Sequence, residues 1–165
     1  MAVLTILTAP NEKLLQNAKP VEEVSKVQAL IDDMLETMYD TEDGIGLAAT
    51  QVGRSEAIVV IDISDERNEP LVLINPVIVS GEERAKGQEG CLSVPGYYAD
   101  VERYTNVTVS ALDRAGEEIT IQSDDFLAIV MQHEIDHLQG TLFIDYLSTM
   151  KKQMALKKVK KSLKI

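Results

Sequence analysis

"SDDFLAIVMQHEIDHLQG" occupies residues 123–140 and holds both histidines of the chain, His133 and His137, with Glu134 between them. Apolar residues recur every third or fourth position, so the stretch predicts a helix over 123–139. Ser123 offers an N-cap, Asp124 and Asp125 suit the positive end of the helix dipole, and Gly140 stops the helix. At about 100° per residue, Phe126, Val130, His133 and His137 fall on one narrow stripe. Leu127, Met131, Ile135 and Leu138 make an apolar strip beside it, while Asp125, Gln132, Asp136 and Gln139 gather opposite. A helix apolar over most of its circumference belongs inside a domain, so both imidazoles face the interior.

Outward from this helix the period of the pattern changes. "AIVVIDI" (57–63), "LVLINPVIV" (71–79), "NVTVSALD" (106–113) and "EEITIQ" (117–122) read as short strands, with "DRAG" (113–116) as the hairpin turn between the last two. Val24, Val27, Leu30, Ile31, Met34, Leu35 and Met38 recur at helical spacing and predict an amphipathic helix over 24–40. A further long helix begins near residue 148. The expected class is α+β, with short antiparallel strands packed around a buried central helix that carries the histidines, an N-terminal amphipathic helix and a C-terminal helix. No repeat or linker divides the 165 residues, which suit one domain: a body over 1–147 and a basic helix over 148–165.

Charge separates these two parts. The net charge is −11, yet residues 151–165 hold seven lysines and no acid, leaving −18 on the other 150 residues. Such a tail is either a solvated helix face or an attachment point for something anionic. The single cysteine, Cys91, excludes an internal disulfide framework and suits a reducing compartment. "MAVLTILTAPNEKLL" starts with an apolar run too short, and wrongly flanked, for a signal peptide or a membrane span. A cytoplasmic protein without membrane contact is expected.

Two buried neutral histidines would each need a partner of their own. One divalent metal satisfies both, since imidazoles four apart on a helix can share an ion and Glu134 can reach a water beside it. A catalytic site of this kind uses three protein ligands and keeps one position open. Downstream only Asp145 could be the third. Upstream stands Cys91, in the turn-rich "EGCLSVPG" (89–96), and a His₂Cys set is the economical reading. It would leave a bound water acidic enough to form hydroxide near neutrality. The glycine-rich "DGIGLAATQVG" (43–53) superficially matches a dinucleotide fingerprint, but a helix precedes it instead of a strand, and no crossover helix fits before "AIVVID". Its glycines suit close approach of backbone to a ligand, and Gln51 offers an amide to a developing oxyanion.

Three segments, "GIGLAATQ" (44–51), "EGCLS" (89–93) and "QHEIDH" (132–137), together resemble the signatures of peptide deformylases of the bacterial and organellar type. They stand in that family's order, and the resemblance spans essentially the whole chain. It implies a hydrolase that removes the formyl group from the N-formyl-methionine of newly made proteins. It implies Cys91, His133 and His137 as ligands of one ion, Fe²⁺ natively, with Zn²⁺, Ni²⁺ or Co²⁺ as substitutes. Glu134 would serve as base and then acid, and the Gln51 amide and Leu92 N–H would stabilise the oxyanion. Gly46 lies in the active-site motif, where backbone would hold the peptide. Ile45, Leu92, Ile129 and Val130 would line the methionine pocket, and Ile129 and Val130 sit one turn before His133, so helix geometry agrees. Glu89 and Arg103 resemble an ion pair that braces the cysteine loop.

Two positions depart from the family pattern. Tyr98 stands where many relatives have an arginine that contacts the substrate backbone, and Gly87 replaces an apolar pocket residue, which opens the rim. The chain resembles the Gram-negative-like branch, whose C-terminal helix is implicated in contact with the ribosome. Here Leu156, Val159 and Leu163 share one face of that helix and most lysines the other. The expected partners are therefore formyl-methionyl nascent peptides and the ribosome, without DNA, and the chain is expected to be a monomer. A small metallopeptidase and a closed structural His₂Cys site are the alternatives. The lack of a downstream third ligand speaks against the first, and Glu134 and the Gln51 segment against the second.

Overall fold

Ile58, Val59, Val60 and Ile61 form one strand whose four side chains are all buried. A run that is apolar at every position needs cover on both faces of its sheet. The computed structural model describes residues 2–162, and in it a helix covers each face. Ile58 and Val60 share a core with Leu30, Ile31, Met34 and Met38 of α1 (Gln28–Asp40). Val59 and Ile61 share another with Ala128, Met131, Ile135 and Leu138 of α2 (Phe126–Leu138). The period-2 alternation of a strand thus sorts one apolar run between two helices.

The sheet is an antiparallel meander of β1 (Gly46–Ala48), β2 (Ile58–Ile61), β3 (Leu71–Cys91), β4 (Val94–Leu112) and β5 (Glu118–Ser123), paired in chain order. The class is α+β, as the sequence pattern predicts. β3 and β4 run well beyond the apolar runs at 71–79 and 106–113. Their ladder continues from Ser80↔Thr108 to Glu89↔Ala99, with β3 mostly polar and exposed but Val101, Arg103 and Val107 of β4 buried, and closes at Cys91↔Val94. A two-stranded ribbon holds itself by backbone pairing, so hydrophobic alternation does not mark it. The "DRAG" turn joins β4 to β5, with Gly116 at φ 85°.

Helix boundaries shift by a few residues from the sequence pattern. A 3-10 turn at Val24–Lys26 precedes α1. α2 begins at Phe126 because Ser123 still pairs with Val107 in β5; Asp125 is the N-cap, accepting from Leu127 N–H, and Ser123 Oγ bonds to the same carboxylate. Gln132 is not on a solvated face. It is buried, and its amide both accepts from Tyr104 N–H (3.0 Å) and donates to Tyr104 C=O (2.8 Å), fastening α2 to β4. A third core joins Val94 and Val101 of β4 to Leu142, Phe143 and Ile144, and to Ala155 and Val159 of α3 (Thr149–Ser162). Leu156 packs against this core, and Leu163 lies outside the described residues. No described helix is long and apolar enough to cross a membrane.

Gly140 ends α2 at φ 75°, against the backbone carbonyl of Leu15. Gly140→Ala meets both an unfavourable backbone region and that carbonyl. It is expected to destabilise the protein by about 1–3 kcal/mol, read as a lowered midpoint in urea unfolding.

Candidate metal centre

The tip of the β3–β4 hairpin and one face of α2 supply the donors. Opposite Gly90 the ladder is irregular, jumping from Glu89↔Ala99 to Cys91↔Val94 across Pro95–Tyr98, with Gly96 at φ 81°. Such a bulge re-aims the side chains beside it. Cys91 Sγ lies 3.3 Å from His137 Nε2, which lies 3.2 Å from His133 Nε2, and the three donor atoms fall within 4.8 Å of one another. Among the described residues this is the group of three that could hold an ion. Asp145, the downstream alternative, is turned away: it accepts from Leu142 N–H and pairs with Lys152.

The donor set fits a divalent cation. Glu89 Oε1 accepts from His133 Nδ1 at 2.9 Å, which puts a ring proton on Nδ1 and turns Nε2 toward the other donors. Burial holds His137 well below the ordinary imidazole range, so it presents a neutral ring. Burial alone would lower His133 likewise, but hydrogen bonds to Cys91 and Glu89 pull it well above its usual value. The site therefore draws positive charge to one point, and a metal ion supplies it without the proton. Gln51 Nε2 (3.6 Å) and Ser93 N–H (3.4 Å) both donate to Cys91 Sγ and fix where the sulfur sits.

Glu89 is in turn held by Arg103, whose Nε and Nη2 donate to its two oxygens at 2.8 and 2.9 Å; both residues are buried. Burial pushes the Glu89 carboxyl up, but the Arg103 and His133 hydrogen bonds outweigh it and keep the group ionised. Arg103 also donates to Asp136, and Tyr146 OH adds a bond to the same carboxylate at 2.8 Å. Asp136 thus belongs to the network, not to a free solvated face. Removing one member of such a pair leaves an uncompensated buried charge, at a cost of about 3–5 kcal/mol.

Beside the donors opens a cavity of about 400 Å³. Every residue the sequence reading assigned to catalysis or substrate lines it: Ile45, Gly46, Gln51, Leu92, Tyr98, Ile129, Val130 and Glu134. Cys91, His133 and Glu89 reach it as well, whereas Arg103 and His137 do not line it. Tyr98 is exposed at the mouth, and its ring covers Gly90 so closely that a Cβ there would lie 2.5 Å from it. Gly87 borders open space, with nothing within 4 Å of a Cβ built on it. Glu134 is almost fully buried, and its Oε1 has no hydrogen-bond partner. Burial pushes its carboxyl up to about 7, with Glu89 adding to the rise and His133 and Arg103 opposing it.

A family model described as polypeptide deformylase matches residues 3–153. The chain belongs to that family. Peptide deformylase 2 of Vibrio parahaemolyticus is 71% identical over 164 residues, spanning 99% of this chain and 98% of its own. Peptide deformylase 2 of Vibrio cholerae is 68% identical over 164 residues, again covering 99% and 98%. Among solved structures, a peptide deformylase from Legionella pneumophila superposes with a TM-score of 0.93 at 48% identity, covering 97% of this chain and 95% of that one. One from Ehrlichia chaffeensis in complex with actinonin gives 0.94 at 42% identity, covering 100% of both chains.

Sequence reasoning missed three contributors. Ser93 is fully buried and its Oγ accepts from Gln51 Nε2 at 3.0 Å, while Ala48 N–H holds Gln51 Oε1 at 2.9 Å, so both ends of that amide are oriented. Asp136 and Tyr146 extend the Arg103 network. Only the serine of the "EGCLS" segment offered a signal, and nothing in its local pattern distinguishes it from a turn residue.

Gly46 permits the position of Glu134, because a Cβ at residue 46 would lie 2.5 Å from Glu134 Oε2. Gly46→Ala is expected to displace that carboxylate, retain metal in full stoichiometry and lower kcat at least about tenfold. Metal analysis and steady-state kinetics on one preparation check this.

Proposed function

We propose that the chain hydrolyses the N-formyl group from the formyl-methionine that begins newly synthesised proteins, with the roles below. The observation that carries the reading is the unpartnered Glu134 carboxylate oxygen beside a His₂Cys donor set that opens onto a cavity. Cys91, His133 and His137 would hold a divalent ion, Fe²⁺ natively with Zn²⁺, Ni²⁺ or Co²⁺ as substitutes, which would supply Lewis acidity to the hydrolysis. The ligand types do not select iron over zinc; the iron assignment rests on family resemblance.

Glu134 takes a proton from the attacking water, a task suited to a carboxyl raised to about 7. As the water oxygen bonds to the formyl carbon, charge gathers on the formyl oxygen, where Leu92 N–H and the Gln51 amide stabilise it. Glu134 then hands its proton to the departing amine, so formate and a free methionyl terminus leave. The methionine side chain is held by Ile45, Leu92, Ile129 and Val130, and the peptide runs along the Gly46 backbone with Tyr98 at the mouth. Glu89 and Arg103 keep His133 in its ligating tautomer and brace the cysteine loop.

In this reading residues 1–147 are the catalytic part, and the basic segment over 148–165, whose described helix is α3 (Thr149–Ser162), belongs to the same domain. On α3 Ala155 and Val159 are buried, which leaves Lys151, Lys157, Lys158, Lys160 and Lys161 exposed. That array supports docking to ribosomal RNA; the proposal includes a cytoplasmic monomer that acts on nascent chains, with no DNA or membrane partner. Replacing Lys157, Lys158, Lys160 and Lys161 with glutamate is expected to abolish salt-sensitive cosedimentation with ribosomes while leaving turnover of a short peptide unchanged.

The direct test is anaerobic hydrolysis of formyl-Met-Ala and acetyl-Met-Ala, with metal measured on the same sample. Turnover of the formyl peptide alone, lost on chelation, is expected. Glu134→Ala should keep its metal and lose about 10²–10⁴ in kcat, and Cys91→Ala should lose metal affinity. Stoichiometric metal without turnover in the unaltered chain would overturn the assignment.

A further inference from the structure

Outside the donor cluster, one side chain is devoted to the segment that forms a wall of the cavity. Arg67 Nη1 donates to Glu42 C=O at 2.7 Å, and its Nη2 donates to Met38 C=O (3.1 Å) and Gly44 C=O (3.2 Å). Its backbone has φ 55°, a region a side chain of this size rarely adopts. The loop that carries it is built around the buried Asp62. The Asp62 carboxylate accepts from Ser64 N–H and Oγ, from Glu69 N–H and from Tyr39 OH, and Tyr39 lies under the Arg67 guanidinium at 5.5 Å.

The braced stretch is functional ground. Asp43, Gly44, Ile45 and Gly46 line the cavity. Thr41 Oγ1 accepts from Gly44 N–H at 3.0 Å, and a Cβ at Gly44 would lie 3.0 Å from Leu92 Cδ1. Thr41 thus holds the N–H of Gly44 and Arg67 its carbonyl, beside the Leu92 side chain. From Ile45 onward the chain has its own support, through Asp62 N–H to Ile45 C=O at 2.8 Å and the pairing of Gly46 with Ile61.

We propose that Arg67 is a positioning residue for substrate, holding residues 41–44 so that Gly44 and Ile45 present a preformed wall to the formyl-methionyl peptide. This rests on the deformylase reading of the cavity. The brace acts on binding and leaves the Gly46–Glu134 contact in place, so its signature is confined to KM.

Arg67→Gly tests it cleanly, because glycine accepts φ 55° and only the side chain is lost. KM for formyl-Met-Ala-Ser is expected to rise about tenfold, with kcat within about twofold and metal content unchanged. Amide hydrogen exchange is expected to quicken over 41–45 and not over α2. Arg67→Lys keeps the charge but not the fork across three carbonyls, and should fall between. Unchanged KM and unchanged exchange at 41–45 in Arg67→Gly would overturn the inference, as would a fall in kcat accompanied by metal loss. Failure of the unaltered, metal-loaded chain to deformylate would instead overturn the deformylase reading, and the exchange result would still judge the brace.

Discussion

A single carboxylate, Glu89, governs the site. Its two oxygens bind the Arg103 fork, and one of them also takes the Nδ1 proton of His133. That bond fixes which nitrogen of His133 faces Cys91 and His137, and Arg103 carries the constraint on to Asp136 of α2. The hairpin that bears the cysteine and the helix that bears the histidines are thereby joined twice, once through the donor set and once through the ion network behind it. A buried network of this kind is costly unless every member is paired, and here each charged group has its partner.

The strength of the chemical signal in the sequence follows from where its atoms come from. Two of the three donors and the acid–base group lie within five consecutive residues of one helix, so their common direction follows from 3.6-residue periodicity. Cys91 was reachable because it is the lone thiol in a turn-rich stretch. The strands at 57–63, 71–79, 106–113 and 117–122 and α1 were legible because their apolar runs are sharply bounded by turns, whereas β1, inside the glycine-rich segment, was not. The ribbon from Ser80 to Glu89 was not, since polar residues on both faces leave no period to read. Gln132 and Asp136 were misplaced for a different reason. A helical wheel shows which residues share a side but not which element covers it, and here β4 brings Tyr104 and Arg103 to the polar side. Ser93 and Arg67 act on groups 42 and 23–29 residues away, and no local pattern encodes such pairs.

The two covered faces of the sheet divide labour. The α2 face carries both histidines and Glu134, while the α1 face backs Leu92 and sets the edge from which residues 41–46 emerge. The cavity wall is therefore the place where the second core meets the first, and it is stabilised from both.

The alternation along β4 has an evolutionary consequence. Val101, Arg103, Val107 and Val109 are buried, and Asp100 and Glu102 on either side of Val101 are exposed. Gaining or losing one residue in the ribbon would turn Arg103 toward solvent and separate it from Glu89. Length variation in this hairpin should therefore be tolerated only as two-residue steps matched across both strands. Two-residue changes matched across both strands would keep Arg103 on Glu89 and the cysteine aimed at the histidines.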